Sequence, residues 1–235
     1  MLKAALLIID VQEDFLPPNG ALAVPNGRAI IDKILSLCDV SRFLWLAIAL
    51  TQDWHPTNHI LFASQHNVEP FTNLEFEHPG KEKNACTGKI KCKRQTVWPD
   101  HCVQKTKGSE IEPSILATFD ALPAYIPKLI VQKGYLQDRE YYLCFSDVWH
   151  LHKTELEDFL LQNEISHIVV VGLAYDYCVL HSAVDSLLSR FSTAVIKDCC
   201  LSVHPEKIKE TEQAYQEAGV QLFATMDDFM ASLQN

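Results

Sequence analysis

The chain has 235 residues, of which 48% are hydrophobic and 21% are charged. This balance is typical of a folded globular protein and argues against a disordered one. Its longest wholly apolar run, residues 43–50 ("FLWLAIAL"), is far shorter than the roughly 18 residues that a membrane span requires. The net charge of −10 repels phosphate backbones, and the basic stretch "KIKCKR" at 89–94 is short, so neither a membrane nor a nucleic acid is expected as a partner.

The N-terminal stretch "MLKAALLIID" is interpreted as a strand rather than a signal peptide. A single lysine precedes a short apolar run, and no small-residue cleavage pattern follows it. We therefore expect an intracellular, cytoplasmic protein. Its eight cysteines would then be reduced thiols, and no C-x-x-C pair indicates a disulfide framework or a zinc ribbon.

Six apolar runs of strand length follow one another along the chain. They are "ALLII" at 5–9, "WLAIAL" at 45–50, "LIV" at 129–131, "HIVVVG" at 167–172, "TAVI" at 193–196 and "VQLFA" at 220–224. Most of these runs are continuous rather than alternating, which is typical of strands buried on both faces of a parallel sheet.

Helical patterns lie between the apolar runs. One covers 154–163, where Thr154 and Glu157 form a predicted capping box, and another covers 205–218, with Gly219 just past its end. Alternating strands and helices predict an α/β fold with a doubly wound, mainly parallel sheet flanked by helices on both faces.

Residues 70–128 do not follow this alternation. They contain six prolines, many polar residues and little periodicity, so we interpret them as a loop-rich excursion from the sheet. Ordered loops of this length are usually functional, and we expect this one to cover a site. Because no internal repeat or low-complexity linker divides the chain, we expect a single domain over 1–235.

Polar residues follow four of the predicted strands directly. Asp10 follows the first run, Asp53 and His55 the second, Lys133 the third, and Cys178 the fourth. In an open parallel sheet, ligands bind beyond the carboxyl ends of the strands. We therefore expect these side chains at one edge of the sheet.

Cys178 directly precedes a helical stripe of apolar residues that starts at Val179. The amides and dipole of a helix N-terminus favour a thiolate, which is the nucleophilic form of cysteine. Asp10 could accept the thiol proton, and Lys133 could lower the thiol pKa. The alternatives are a buried, unreactive cysteine, an aspartate that caps the following turn, and a solvated lysine at a strand end.

Asp53 and His55 are two residues apart, so both side chains point the same way in an extended segment. A carboxylate with an imidazole suits Zn²⁺ or another first-row divalent ion, but such a site needs a third ligand. The candidates for that ligand are His59, His66, His78 and His101.

Five ordered motifs match those of one known family. They are "LLIIDVQEDF", "TQDWHPTNH", "VWPDHCVQKTKG", "VQKGYLQDREYYLCF" and "VVGLAYDYCVLHSAVD". On these motifs the sequence resembles the nicotinamidases (pyrazinamidases) of the isochorismatase-like cysteine hydrolase superfamily, over nearly the whole chain. The resemblance implies the isochorismatase-like hydrolase fold and a tendency to form homo-oligomers.

The resemblance also implies roles for matching residues. The catalytic triad would be Asp10, Lys133 and Cys178, and the oxyanion hole would consist of the backbone amides of Ala174 and Cys178, next to a cis peptide bond at Leu173–Ala174. The remaining matches fall into two groups, metal ligands and walls of the ring pocket. The ligands would be Asp53, His55 and His101, with His59 as a further ligand in some relatives, and the walls Phe15, Trp98 and Tyr177.

In this family the metal is most often zinc, with iron or manganese in some members, and it binds the pyridine nitrogen. Two segments depart from the family pattern. The segment 75–95 matches no motif of the family, and "KDCCLSVHP" at 197–205 lacks the charged strand-end pattern of several relatives.

The resemblance therefore implies a metal-containing cysteine amidohydrolase that converts nicotinamide to nicotinate and ammonia through a thioester, in NAD salvage. The D-x-H pair with a third histidine favours nicotinamide over other substrates of the superfamily. Three alternatives remain open at this stage: another isochorismatase-like amidase, a metal hydrolase in which Cys178 only packs, and a catalytically silent binding or scaffold protein.

Overall fold

A computed structural model describes residues 3–233. Within this range the strands are β1 (Ala4–Ile9), β2 (Ala47–Asp53), β3 (Asn73–Glu77), β4 (Cys92–Thr96), β5 (Lys128–Lys133), β6 (His167–Leu173), β7 (Ser192–Leu201) and β8 (Gln221–Phe223). Six of them form one sheet in the order β5-β2-β1-β6-β7-β8, and every neighbouring pair is parallel. The six predicted strands and the parallel α/β fold are thus confirmed.

The helices are α1 (Ile31–Leu37), α2 (Pro113–Asp120), α3 (Leu156–Gln162), α4 (Cys178–Leu188), α5 (Ile208–Ala218) and α6 (Met226–Ser232). Helix α4 packs on β6 and β7, α3 contacts β5, and α1 and α6 contact β7. None of the helices described is long and apolar enough to cross a membrane.

The two helices predicted from capping signals have different outcomes. Helix α5 ends as predicted, with Gly219 in the left-handed conformation (φ 88°). The capping box predicted for α3 is wrong. The Thr154 hydroxyl donates to the Cys144 carbonyl (2.6 Å) and accepts from the Leu156 amide (3.4 Å), while Glu157 accepts from Lys153 (2.7 Å), so the reciprocal Thr154–Glu157 box does not form.

The excursion at 70–128 contains more regular structure than the sequence predicts. Strands β3 and β4 form an antiparallel hairpin, which occupies the unmatched segment 75–95 and exposes Cys86 and Cys92. Helix α2 follows, and the Glu112 side chain caps it by accepting from the amides of Ser114 and Ile115. A single domain over the whole chain stays a prediction.

The sheet centre explains why the apolar runs are continuous. All six residues of β1 are buried, as are all seven of β2, because each strand has covered faces and a neighbour on both sides. Gly172 allows the close pairing of β6 with β1: its φ is 118°, and a Cβ there would lie 2.2 Å from the carbonyl oxygen of Ile9. Ile9, the partner of Gly172 in this pairing, directly precedes Asp10.

Candidate active site

The polar residues predicted at the strand ends meet at one edge of the sheet. Asp10 follows β1, Asp53 ends β2, Lys133 ends β5, and Cys178 begins α4 after β6. The parallel register brings these ends together, since β1 lies between β2 and β6, and β2 pairs with β5 up to Asp53 opposite Lys133. All four side chains are buried.

Lys133 is the centre of this cluster. Its Nζ lies 2.8 Å from Asp10 Oδ2 and 3.7 Å from Cys178 Sγ, and it also donates to Asp53 Oδ1. A further hydrogen bond to the Tyr141 carbonyl (3.0 Å) fixes the ammonium in place. That Asp53 shares this lysine was not predicted from the sequence.

Asp10 has one occupied and one available carboxylate oxygen. The Thr51 hydroxyl donates to Oδ1 (2.5 Å) and accepts from the Asp10 amide (3.1 Å). Oδ2 lies in the field of Lys133 but receives no well-directed hydrogen bond from any residue that the structure describes. Because Cys178 Sγ lies within 4.8 Å of a carboxylate oxygen of Asp10, the available oxygen can accept the thiol proton.

Burial sets the protonation states in this cluster. It raises the pKa of Asp10 above its ordinary value, although Lys133 opposes this shift. Burial alone would lower the pKa of Lys133, but Asp10 and Asp53 outweigh it and hold that pKa well above its usual range. Lys133 is therefore a permanent cation between two carboxyl groups.

The Cys178 thiol differs from its prediction. Burial, with the negative charges of Asp10 and Asp53, raises its pKa well above the ordinary value, against the opposing effect of Lys133. The helix N-terminus and Lys133 favour the thiolate, but burial and the two nearby carboxyl groups outweigh them, so the pKa of the thiol is raised and not lowered. A nucleophilic role for this thiol would require a neighbouring base that accepts its proton.

The turn before α4 leaves two backbone donors free. The amides of Tyr177 and Val179 both donate to the Ala174 carbonyl (3.0 and 3.1 Å), which fixes the turn. Among the residues described, no acceptor takes the N–H of Ala174 or of Cys178. The peptide bond at Leu173–Ala174 is cis, as the resemblance implies.

A candidate metal centre lies beside the thiol. Ligand atoms of Asp53, His55 and His101 all lie within 4.8 Å of one another. The Nδ1 of His55 bonds to the Gly134 carbonyl (2.9 Å) and that of His101 to the Pro99 carbonyl (2.7 Å), which leaves both Nε2 atoms as the free ligand atoms. Burial and the nearby His55 lower the pKa of His101 to about 4, so it stays neutral, as a metal ligand must.

The other candidate histidines have different partners. His59 stacks on His55 with 4.2 Å between ring centroids, but its Nε2 bonds to the Arg139 carbonyl (3.0 Å), and it lies outside the ligand cluster. His66 bonds to the Ile60 carbonyl (2.6 Å). His78 directly follows β3 in the hairpin, and its Nε2 lies 3.4 Å from a carboxylate oxygen of Glu82. Of the four candidate histidines, His101 is the one that lies with Asp53 and His55 in a group of close ligand atoms.

A pocket opens over the thiol and encloses about 420 Å³, open solvent at its mouth included. Its lining comprises the predicted residues Phe15, Asp53, Trp98, His101, Ala174, Tyr177 and Cys178, and also Leu22, Glu140, Tyr142 and Val203. The last four were missed because none of them directly follows a strand or belongs to a recognisable spacing. Tyr142 is fixed by the Trp98 indole, which donates to its hydroxyl (2.8 Å).

Known proteins share this sequence and fold. The isochorismatase domain model matches residues 123–226. The nicotinamidase of Saccharomyces cerevisiae is 34% identical over 216 residues, which cover 89% of this chain and 95% of that protein. The Escherichia coli nicotinamidase is 36% identical over 225 residues, which cover 95% of each.

Solved structures agree with these relatives. The yeast nicotinamidase bound to the inhibitor nicotinaldehyde superposes with a TM-score of 0.85 at 31% identity, covering 93% of this chain and 98% of that one. The Pyrococcus horikoshii pyrazinamidase in complex with zinc superposes with a TM-score of 0.69 at 26% identity, covering 94% and 98%. This chain is therefore a member of the nicotinamidase family of isochorismatase-like hydrolases.

Proposed function

We propose that this protein hydrolyses nicotinamide to nicotinate and ammonia through a thioester on Cys178, and that it serves NAD salvage. The observation that carries the proposal is the buried cluster in which Lys133 Nζ lies 2.8 Å from Asp10 and 3.7 Å from the Cys178 sulfur. This cluster borders the candidate metal centre and an aromatic pocket. Nicotinamidases from yeast and Escherichia coli match almost the whole chain.

A divalent metal, which we propose to be zinc, would be held by Asp53, His55 and His101. The donor set of one carboxylate and two imidazoles fits it, and each imidazole bonds through Nδ1 to a backbone carbonyl, which leaves its Nε2 for the metal. A pyrazinamidase of the same fold is known in complex with zinc. When bound, the metal would supply a Lewis acid that orients the pyridine nitrogen of the substrate.

The aromatic ring of nicotinamide would lie among Phe15, Trp98 and Tyr177. Trp98 and Tyr177 meet edge to face, with 5.0 Å between ring centroids, and Phe15 packs on His101 at 5.5 Å. Such walls bury a flat heteroaromatic ring, while the buried polar groups on one side fix its orientation. The carboxamide would then face Cys178 and the free amide of Ala174.

In the first half-reaction the Cys178 thiol gives its proton to Asp10 Oδ2 as the sulfur attacks the carboxamide carbon. The carbonyl oxygen becomes an oxyanion, which accepts hydrogen bonds from the backbone amides of Ala174 and Cys178. Asp10 then passes the proton to the departing nitrogen, so that ammonia leaves and a thioester remains.

In the second half-reaction Asp10, again ionised, removes a proton from water as the water attacks the thioester carbon. Collapse of the second tetrahedral species breaks the carbon–sulfur bond, and the proton returns from Asp10 to Cys178 as nicotinate leaves. Lys133 stays charged throughout and keeps the negative charge of Asp10 tolerable in a buried site.

The proposal is tested by ammonia release from nicotinamide with wild type, Cys178→Ala and Cys38→Ala. Cys38 is the matched control, because it is also a buried thiol but ends α1, away from the site. We expect Cys178→Ala to lose at least about three orders of magnitude in kcat, as removal of a covalent nucleophile does. Cys38→Ala should stay close to wild type.

Activity in Cys178→Ala would instead favour the alternative in which a metal activates water. Iodoacetamide provides an independent check: it should inactivate the wild type, and nicotinaldehyde should protect against this. A cytoplasmic location and a homo-oligomeric state are further parts of the proposal, supported respectively by the free cysteines and by the family resemblance.

A further inference from the structure

A second pocket lies beneath β4 and next to the catalytic pocket. It encloses about 890 Å³, open solvent at its mouth included, and we call it the hairpin pocket. Tyr142 and Tyr177 line both pockets, so the two share a wall. Its other characteristic residues are Lys93, Gln95, His150 and His181.

The hairpin pocket is positively charged. Lys93 and Gln95 alternate with Arg94 along β4, so their side chains lie on the same face of the strand. Lys93 Nζ donates to the Val148 carbonyl and lies 4.8 Å from the centroid of the Trp149 ring, which leaves further N–H groups for a ligand. No carboxylate belongs to the lining formed by the described residues.

Two acids lie behind this lining rather than in it: Asp147, and Asp185, whose Oδ1 lies 4.0 Å from Nδ1 of His150. Asp147 is fully buried, and its carboxylate accepts hydrogen bonds from the backbone amides of Trp149, Leu151 and His152 (2.7, 2.9 and 2.6 Å). Asp147 therefore holds its loop in place, and its charge acts on Lys93 from behind the lining, while the lining itself keeps the Lys93 ammonium for a ligand.

Gln95 provides a second, independent indication of a ligand. Its residue is only 9% exposed, its Oε1 is completely buried, and its side-chain amide forms no hydrogen bond within residues 3–233. A buried amide without a partner is costly, and native structures rarely keep one without a reason. The Nε2 of the same amide also lacks a hydrogen-bond partner among the described residues, so it is the group that can donate to a ligand with acceptor oxygens in this pocket.

The remaining surface suits a flat ring. The rings of Tyr142 and His181 are stacked, with 5.5 Å between centroids and 25° between planes. Helix α4 carries both Cys178 and His181, and residues three apart lie on the same side of a helix. One helix thus contributes the thiol to one pocket and an imidazole to the other.

We propose that the hairpin pocket binds an aromatic monocarboxylate, of the class formed when an aromatic primary amide is hydrolysed. Lys93 would pair with the carboxylate, Gln95 would donate to it, and the ring would lie against the Tyr142 and His181 rings. The choice of ligand class rests on the proposed function, which produces nicotinate one wall away. A molecule bound there would contact Tyr142 and Tyr177 and so inhibit catalysis without occupying the catalytic pocket.

The test is equilibrium dialysis of radiolabelled nicotinate with the metal-loaded wild-type protein. We expect two molecules per chain, and one when saturating nicotinaldehyde occupies the catalytic pocket. Lys93→Met and Gln95→Leu should each weaken the second site by about tenfold or more, because each removes a partner of the carboxylate. Lys91→Met is the matched control: it removes the same charge, but Lys91 pairs with Glu82 outside the pocket.

Inhibition kinetics provide a second measurement. Nicotinate should inhibit wild type in a mixed manner and Lys93→Met only competitively, while kcat/KM of Lys93→Met for nicotinamide stays within about twofold of wild type. Neutral 3-acetylpyridine should not displace nicotinate from the nicotinaldehyde-treated protein, whereas benzoate should.

Three results would overturn the proposal: one nicotinate per chain in wild type, a second site unchanged by both Lys93→Met and Gln95→Leu, or equal binding of 3-acetylpyridine. Ammonia release from nicotinamide is measured on the same preparations. Its absence refutes the proposed function, whereas ammonia release with a single nicotinate per chain refutes only the hairpin-pocket assignment.

Discussion

Replacing Lys133 with methionine tests the central ion cluster. The substitution keeps the length of the side chain but removes the ammonium that lies between Asp10 and Asp53. Lys133 is completely buried, so water cannot replace it as a partner for the two carboxylates. Breaking one buried ion pair by removing a partner costs about 3–5 kcal/mol of stability, and here two carboxylates lose the same cation.

We therefore expect the free energy of unfolding to fall by at least about 3 kcal/mol in Lys133→Met, measured by urea denaturation with the metal removed from all proteins. Lys128→Met is the matched control. Lys128 begins the same strand, is exposed, and donates to the carbonyls of Phe119 and Asp120 at the surface. Its loss should cost no more than about 1 kcal/mol.

A double-mutant cycle with Asp10→Asn separates charge from packing. If the cost comes from unpaired carboxylates, then Lys133→Met should be less damaging in the Asp10→Asn background, with a coupling of about 1 kcal/mol or more. A loss below about 1 kcal/mol in Lys133→Met, or additivity of the two changes, would refute the interpretation of this cluster as a tightly coupled ion network.

Four further outcomes are expected. Because burial raises the pKa of Asp10 above 3.8 and only its ionised form accepts the thiol proton, kcat/KM for nicotinamide should fall as the pH drops through that raised pKa, which a pH–rate profile measures. Gly134→Ala should lower the metal content per chain in elemental analysis, because the added Cβ would lie 2.3 Å from the His55 ring and displace it. The φ of 73° at Gly134 also disfavours alanine there. Trp98→Leu, which removes a ring wall and the hydrogen bond to Tyr142, should raise KM about tenfold with a smaller change in kcat. Removing the metal with a chelator should lower the melting temperature, and added zinc should restore it.

Much of the fold could be predicted because one physical signal, continuous burial, marks the central strands of the main sheet. Strand β1 reads "AALLII" and is buried throughout, and β6 is buried in six of its seven residues. Once those strands are known, the parallel order brings their carboxyl ends together, and Asp10, Lys133 and Cys178 are found by looking directly after each strand.

The hairpin could not be predicted by the same signal. Strands β3 and β4 are exposed at most positions, and their only well-buried apolar side chain, Phe76, packs in a small separate cluster with Leu61 and Trp98. Exposed strands with charged residues do not differ from loops in composition. Gln95 and Lys93 therefore gave no sign that they border a pocket.

The raised pKa of Cys178 could not be predicted for a related reason. A helix N-terminus can be read from the sequence, but its effect on a thiol depends on how much water remains and on which other charges are near. The chain places Asp53 beside Lys133 only through the pairing of β2 with β5, a contact between residues 80 positions apart. No local spacing encodes that distance.

Asp53 shows why the two halves of the site depend on each other. One of its oxygens accepts from Lys133, and the other lies 3.6 Å from Nε2 of His55 in the ligand cluster. Lys133 and His55 outweigh the effect of burial and hold the pKa of Asp53 well below its usual range, so its charge persists whether or not the thiol has reacted. A neutral substitute such as Asp53→Asn would therefore weaken the metal centre and also leave Asp10 as the one carboxylate within ion-pair distance of Lys133 among the described residues. The D-x-H pair is thus part of the nucleophile's environment as much as a metal motif.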